Sequence, residues 1–270
     1  MIRPYLFTRA NDPRTRVWSE TRPRHLAGGG DPRRITQTLR AAGWKNHSYP
    51  DYPHVVLASP DYQHSLILEP EPEPYKAWWR IRGQSEHNSW YTEFSSHVPV
   101  EILAALTDAL LQPVPETTPD IWPTLASAGW TYQHDEQGNE TASHPDGTLR
   151  LRRWAVEPDE GFFWTAEAIL PDGDGQLWRA SLDDRTPPHL IAAFTNALAN
   201  DEPVQRGMHD VPHTHLVMQE ARGPQGEQLA AAHETRLKSV RAAARKARRL
   251  AAPQTQPAVA PPTRNTSVHR

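Results

Sequence analysis

The heptapeptide HDVPHTH, residues 209–215, places His209, Asp210, His213 and His215 in one short segment. Imidazole nitrogens and a carboxylate suit zinc or another divalent ion when three or four of them converge. A proline-containing connection has no element to make them converge, so the segment reads as a solvated linker and no metal ligand is assigned to it. A second imidazole–carboxylate pair, His144 and Asp146 of HPDG, has groups suited to acid–base work. Pro-Asp-Gly also supplies the backbone angles of a chain reversal, and the matching position earlier in the chain is Ser59. The pair therefore reads as a turn.

AGGGD (27–31) raises the question of phosphate binding through backbone N–H groups. No Lys-Ser/Thr follows it, as a P-loop requires, and no G-x-G-x-x-G follows a strand, as a dinucleotide fold requires. It reads as a flexible loop ahead of a helix beginning near Pro32. The carboxylate run EPEPEP (69–74) reads as a stiff, exposed connection between two strands, because proline blocks strand pairing and glutamate prefers water. No G-x-S-x-G, H-E-x-x-H or kinase-like set occurs. The chain has no cysteine, which excludes disulfides, thiolate metal sites and cysteine nucleophiles. The expectation is a non-enzyme with no catalytic residue, metal or cofactor; a deep pocket with polar groups converging from both halves would reopen the question.

Charge is distributed unevenly. From Glu220 onward there are ten Lys and Arg against three Glu, whereas the preceding chain holds 19 against 29, so an acidic body carries a basic tail. EQLAAAHETRLKSVRAAARKARRLAA is built from strong helix formers, with Gly226 near its start and Pro253 after it. At about 100° per residue, Lys238, Arg241, Arg245, Arg248 and Arg249 share one face. Leu237, Val240, Ala244, Ala247 and Ala251 form the adjoining apolar strip. Those five cations are the candidate residues for an anionic partner, whether nucleic acid phosphates, an acidic protein or the acidic body itself. A solvated face that only aids solubility is the plain alternative.

The elements that must position these groups come from a repeat. VPVEILAALTDAL (98–110) returns as TPPHLIAAFTNAL (186–198), and ITQTLRAAGW (35–44) returns as IWPTLASAGW (121–130). Trp79 answers Trp164, Trp90 answers Trp178, and Trp44 answers Trp130, with the offset drifting only between 85 and 88. Such self-similarity marks a tandem duplication. Within each copy a helix ends at a glycine, strands follow with period-two alternation, and a proline opens a final amphipathic helix. Repeated tryptophans could form an aromatic ligand platform. Their strand and helix register instead makes them core, each burying about 150–250 Å².

RHLAGGGDPR, AAGW, SPD, the Trp-rich strands and PVEILAALTDAL together resemble the actinobacterial domain-of-unknown-function family numbered 317. The resemblance spans about residues 20–200 and implies a tandem build of actinobacterial origin, with no site residues attached. The second copy lacks the GGGD lead-in.

The predicted fold class is α+β: two tandem copies of a helix–four-strand antiparallel sheet–helix unit, then a basic C-terminal helix and a disordered tail. The expected boundaries are an N-terminal arm (1–24), first repeat (25–112), second repeat (113–205), linker (206–224), basic helix (225–252) and tail (253–270). Two such sheets facing each other would leave a broad groove between the copies. The expected function is a binding or adaptor protein recognising a protein partner through the paired repeats. A nucleic-acid-associated regulator using the basic helix is the alternative. No stretch approaches 18 apolar residues, so no membrane partner is expected, and a cytoplasmic location is the simplest reading.

Overall fold

The computed structural model describes residue 14 and residues 16–70, 76–84, 88–155, 162–171 and 175–251. In chain order, strand β1 (Trp18–Arg22) leads through a short 3-10 turn (Arg24–Leu26) to helix α1 (Arg33–Ala42). Strands β2 (Lys45–Asn46), β3 (Val55–Ala58), β4 (His64–Leu68), β5 (Ala77–Gln84) and β6 (Ser89–Ser95) follow, and helix α2 (Val100–Ala109) closes the first half. The second half repeats the order with α3 (Ile121–Ser127), β7 (Thr131–His134), β8 (Glu140–Ser143), β9 (Leu149–Ala155), β10 (Phe162–Ile169), β11 (Gln176–Leu182) and α4 (Pro188–Leu198). Strands β12 (Val204–Gly207) and β13 (Met218–Glu220) and helix α5 (Gly226–Ala251) complete the described chain.

The α+β class holds, but two features of the expected layout do not. Each unit carries five strands rather than four. The additional strand in each is short and polar: Lys45–Asn46 has only two residues, and all four residues of Thr131–His134 are exposed, so neither has an apolar alternation to announce it. The copies also do not form two sheets with a groove between them. All ten strands make one antiparallel sheet in the order β2-β3-β4-β5-β6-β11-β10-β9-β8-β7, joined where β6 meets β11.

That seam is self-complementary. Phe94 pairs with Ala180, Glu93 with Ser181, and Thr92 with Leu182. At the repeat offset of 88, Ala180 is the counterpart of Thr92 and Leu182 that of Phe94, so Glu93 and Ser181 pair with their own equivalents. This is the isologous contact of a two-fold dimer made within one chain. Helices α2 and α4 pack against each other over the same seam, with the Phe94 and Phe194 rings 5.7 Å apart.

One sheet face lies beneath the helices. Leu57, Leu66, Ile81, Phe94, Leu151, Ala166, Ala180 and Leu182 are fully buried there. The six matched tryptophans, at 44, 79, 90, 130, 164 and 178, are between 1% and 8% exposed, so they are core and not a ligand platform. At about 25 cal/mol per Å², each indole contributes roughly 4–6 kcal/mol before conformational entropy is subtracted.

The other face is open. The strand registers align Val56, Ile67, Arg80, Glu93, Ser181, Thr165, Arg152, Thr141 and Gln133 in one row across nine strands. Its charges are matched among neighbours, Arg80 with Glu93 at 3.4 Å and Arg152 with Glu167 at 3.2 Å.

The expected arm and linker, together with the last two residues of the expected second repeat, contribute a second, three-stranded sheet in the order β12-β1-β13. Its middle strand buries Ser19 and Thr21 while Trp18, Glu20 and Arg22 stay partly accessible. Polar residues face inward there, and the hydrophobic alternation that reveals strands in a sequence is missing. The expected tail from Pro253 lies outside the described residues, as do positions 71–75 of the EPEPEP connection; β4 and β5 on either side of it pair as a hairpin.

Candidate functional site

The two copies use one turn with different chemistry. In the first, Ser59 Oγ donates to Asp61 Oδ1 at 2.5 Å, and the same carboxylate oxygen accepts the Gln63 N–H at 3.0 Å. Tyr62 takes the left-handed conformation, φ 62°, which a non-glycine residue rarely adopts. In the second, His144 Nδ1 lies 2.8 Å from Asp146 Oδ1, which also accepts the Thr148 N–H and hydroxyl, both at 2.8 Å. Gly147 occupies the left-handed position at φ 75°. HPDG is thus a turn, as its sequence indicates, and an imidazole stands in for a hydroxyl.

A third group joins the second turn from far away in sequence. His25, on the 3-10 turn after β1, is 4% exposed. Its Nε2 lies 2.8 Å from Thr148 Oγ1 and 3.2 Å from Asp146 Oδ2. Trp178, one of the repeated indoles, fixes this residue by donating its Nε1–H to the His25 carbonyl at 2.6 Å. Asp201 Oδ1 is 3.4 Å from the other nitrogen of His144. Burial alone would raise the pKa of Asp146, but hydrogen bonds from His144, His25 and Thr148 hold it far below the usual carboxylate range. Burial alone would lower His144, yet Asp146 and Asp201 outweigh it and raise its pKa.

Potential ligand atoms of His25, His144 and Asp146 all lie within 4.8 Å of one another. They are the one set among the described residues that converges as a metal would require. The histidines of residues 209–215 do not converge in this way. His213 packs edge-on between His97 and His215, with ring centroids 6.3 and 6.2 Å away, and Asp210 pairs with Arg16. The densest histidine segment of the sequence is therefore not where ligand atoms converge. His25 and His144 stand 119 residues apart, so only the fold could bring them together.

The GGGD loop is packed rather than flexible. Arg206, on β12 just beyond the second repeat, is 2% exposed and has all five of its N–H donors used. They reach the carbonyls of Ala27 (3.1 Å), Gly28 (3.1 Å) and Gln205 (2.9 Å), and both oxygens of Glu101 (2.8 and 2.7 Å). Burial would raise the Glu101 pKa, but Arg206 outweighs it and keeps the carboxyl ionised. Glycine is required because a Cβ on Gly29 would stand 2.4 Å from the Ser96 carbonyl oxygen. Beside this loop a cavity of about 800 Å³ is bounded by Arg34, Gln37, His97, Glu101, His233 and Arg236, among others. It lies between α1, α5 and the small sheet, not between the two copies.

Helix α5 forms over the expected span and docks on α1. Leu237 is 3% exposed, and Leu229, His233, Arg236, Val240 and Ala244 are partly covered on the same side. His233 Nε2 lies 2.7 Å from Gln37 Oε1, and Arg236 donates to the Asp108 carboxylate of α2. Ala247 and Ala251, expected in the apolar strip, are exposed; from Arg245 onward no residue of the helix touches the body closely enough to be covered. Lys238, Arg241, Arg245, Arg248 and Arg249 are all exposed, and among the described residues none of them is paired with a carboxylate.

None of the described helices is long and apolar enough to cross a membrane. Neither a curated protein nor a solved structure matches the chain. A family model does match, that of SPDY, a domain of unknown function (DUF317), over residues 58–116 and again over 143–204. Residues 59–62 of this chain read Ser-Pro-Asp-Tyr, the four letters of that name. The matched segments run in each half from the last residue of the strand before the turn through the closing helix, and leave out His25, α1 and α5. Each half of the chain thus carries one segment that matches the SPDY (DUF317) domain model.

Proposed function

We propose that the chain is a non-catalytic binding protein in which the paired repeats are the scaffold and α5 presents a cationic face to a polyanion, nucleic acid being the class it fits. One observation carries this reading: Lys238, Arg241, Arg245, Arg248 and Arg249 are exposed together on a helix whose adjoining side is fastened to α1 and α2. The cations are thereby held at helical spacing before any partner arrives, which lowers the ordering cost of binding. Four of the five are arginine, whose planar fork suits phosphate oxygens. Fluorescence anisotropy of a labelled DNA duplex, measured over a salt series, tests it. The full chain is expected to bind with a log–log salt slope of about −4 to −5, and the chain with all five cations changed to alanine with a slope near zero. Absence of binding, or a slope that the substitutions leave alone, rejects the reading.

A second reading, recognition of a protein partner, is favoured by the open sheet face. Phe163 pairs with Trp154 (41% exposed), and Tyr91 (46% exposed) lies at the seam, where its N–H donates to Asp183. A depression of about 760 Å³ opens beside Tyr91 and Phe163. Rigid aromatic side chains on a surface are common anchors of protein interfaces. A pull-down compared between the native chain and a Tyr91→Ser/Trp154→Ser variant separates this from the first reading: a partner lost only in that variant supports it.

A further inference from the structure

We propose that His25, His144 and Asp146 form a binding site for a divalent transition metal, zinc being the ion that two imidazoles and one carboxylate fit best. Zinc bonds to nitrogen and oxygen at about 2.0–2.2 Å, so neighbouring ligand atoms in a tetrahedral site stand roughly 3.3 Å apart. His144 Nδ1 and His25 Nε2 lie 2.8 and 3.2 Å from the two oxygens of Asp146, and the three ligand atoms lie within 4.8 Å of one another, so the set has only to draw in around an ion. An ion entering there binds the imidazole nitrogens in their deprotonated form, and any proton they carry leaves to solvent.

The surroundings of His144 are those of a metal-binding histidine. A ligating imidazole is normally oriented by a carboxylate or carbonyl at its second nitrogen; Asp201 stands at that position for His144, 3.4 Å from Nε2. The His25 backbone is pinned by Trp178, and its side chain is buried, so this ligand is held in place before the metal binds. The side toward Asp146 and Asp201 is more open, with side chains 34% and 74% exposed, which leaves an entry path and room for a fourth ligand. The first-copy turn is the internal control. It has the same hydrogen-bonded aspartate with Ser59 in place of the imidazole, so the turn folds without metal-binding chemistry. The second copy has gained His144, and the chain ahead of α1 supplies His25. A bound ion would tie that segment to the second repeat through three bonds rather than through hydrogen bonds alone.

Calorimetric titration of the full chain with zinc chloride tests the proposal, together with His144→Ser, which copies the first turn, and His25→Gln. The expected result is one zinc per chain, lost in both variants, retained in a His213→Ala/His215→Ala control, and weakened about tenfold by Asp201→Asn. X-ray absorption at the zinc edge of the loaded native chain should show nitrogen and oxygen neighbours with the scattering of two imidazoles. This second reading stands even if a variant fails to fold. Absence of one-to-one binding, full affinity in His144→Ser, loss of binding in the His213/His215 control, or an edge spectrum without imidazole overturns the proposal.

Discussion

The two halves of the molecule share a core and differ in what is fastened to it. Beneath the helices the correspondence is close: matched tryptophans, matched strands, and a seam in which Glu93 and Ser181 pair with their own counterparts. Outside that core each half receives different additions from unrepeated chain. The first half receives α5 on α1, with Arg206 locking the GGGD loop to Glu101. The second half receives His25 at its SPDY-type turn, and among the described residues no helix packs on α3 as α5 packs on α1. Repetition therefore marks what builds the sheet, and departure from repetition marks where distinct chemistry has been added.

The sharpest way to break this comparison is to cut the shared core in each half. Trp79→Ala and Trp164→Ala are each expected to cost about 3–5 kcal/mol, by similar amounts, as read from chemical denaturation. A large cost in one half alone would show that the cores are not equivalent. Arg206→Ala, which has no counterpart in the first copy, is expected to cost about 3–5 kcal/mol, because it strands the Glu101 charge and two buried carbonyls. Leu237→Ala removes the buried anchor of α5; about 2 kcal/mol is expected, seen as faster hydrogen exchange confined to α5 and the facing side of α1.

Smaller effects separate the two turns. The raised pKa of His144 means that its charged form, faced by Asp146, Asp201 and His25, is stabilised by folding. Its contribution is complete below the unfolded-state pKa of about 6.5 and disappears as pH rises through the higher folded-state value. The melting-temperature advantage of the native chain over His144→Ser should therefore shrink between pH 6 and pH 9, values chosen to bracket an ordinary imidazole pKa of about 6.5. The corresponding Ser59→Ala comparison in the first copy should show no such trend. Asp146 acts in the opposite sense: its depressed pKa gives stability that is present above about pH 3.9 and is lost only on further acidification. The smallest change is expected from the five alanines on the outer face of α5, within about 0.5 kcal/mol of the native stability, because those side chains are exposed and none of them is paired with a carboxylate.

The sequence made some of this plain and concealed the rest for physical reasons. The tryptophans, the glycine that ends α1 at φ 103° and the prolines ahead of α2 and α4 are local signals, and each stands where its chemistry predicts. The β6–β11 seam is a contact between strands 88 residues apart and leaves no local trace. Strand β1 was hidden because it turns Ser19 and Thr21 inward. GGGD looked flexible because the residue that packs it, Arg206, lies 178 positions beyond Gly28. His144 and Asp146 were visible as a pair, but the third member, His25, had no spacing to connect it to them.

The central claim is that the copies form one sheet through that seam, and native-state hydrogen exchange of the full chain tests it most directly. Amides of residues 92–94 and 180–182 are expected to be among the most protected and to exchange in the same global opening, while the short edge strands at Lys45–Asn46 and Thr131–His134 exchange earlier. Seam amides that exchange as fast as the edges, or two halves that open at different free energies, would contradict it.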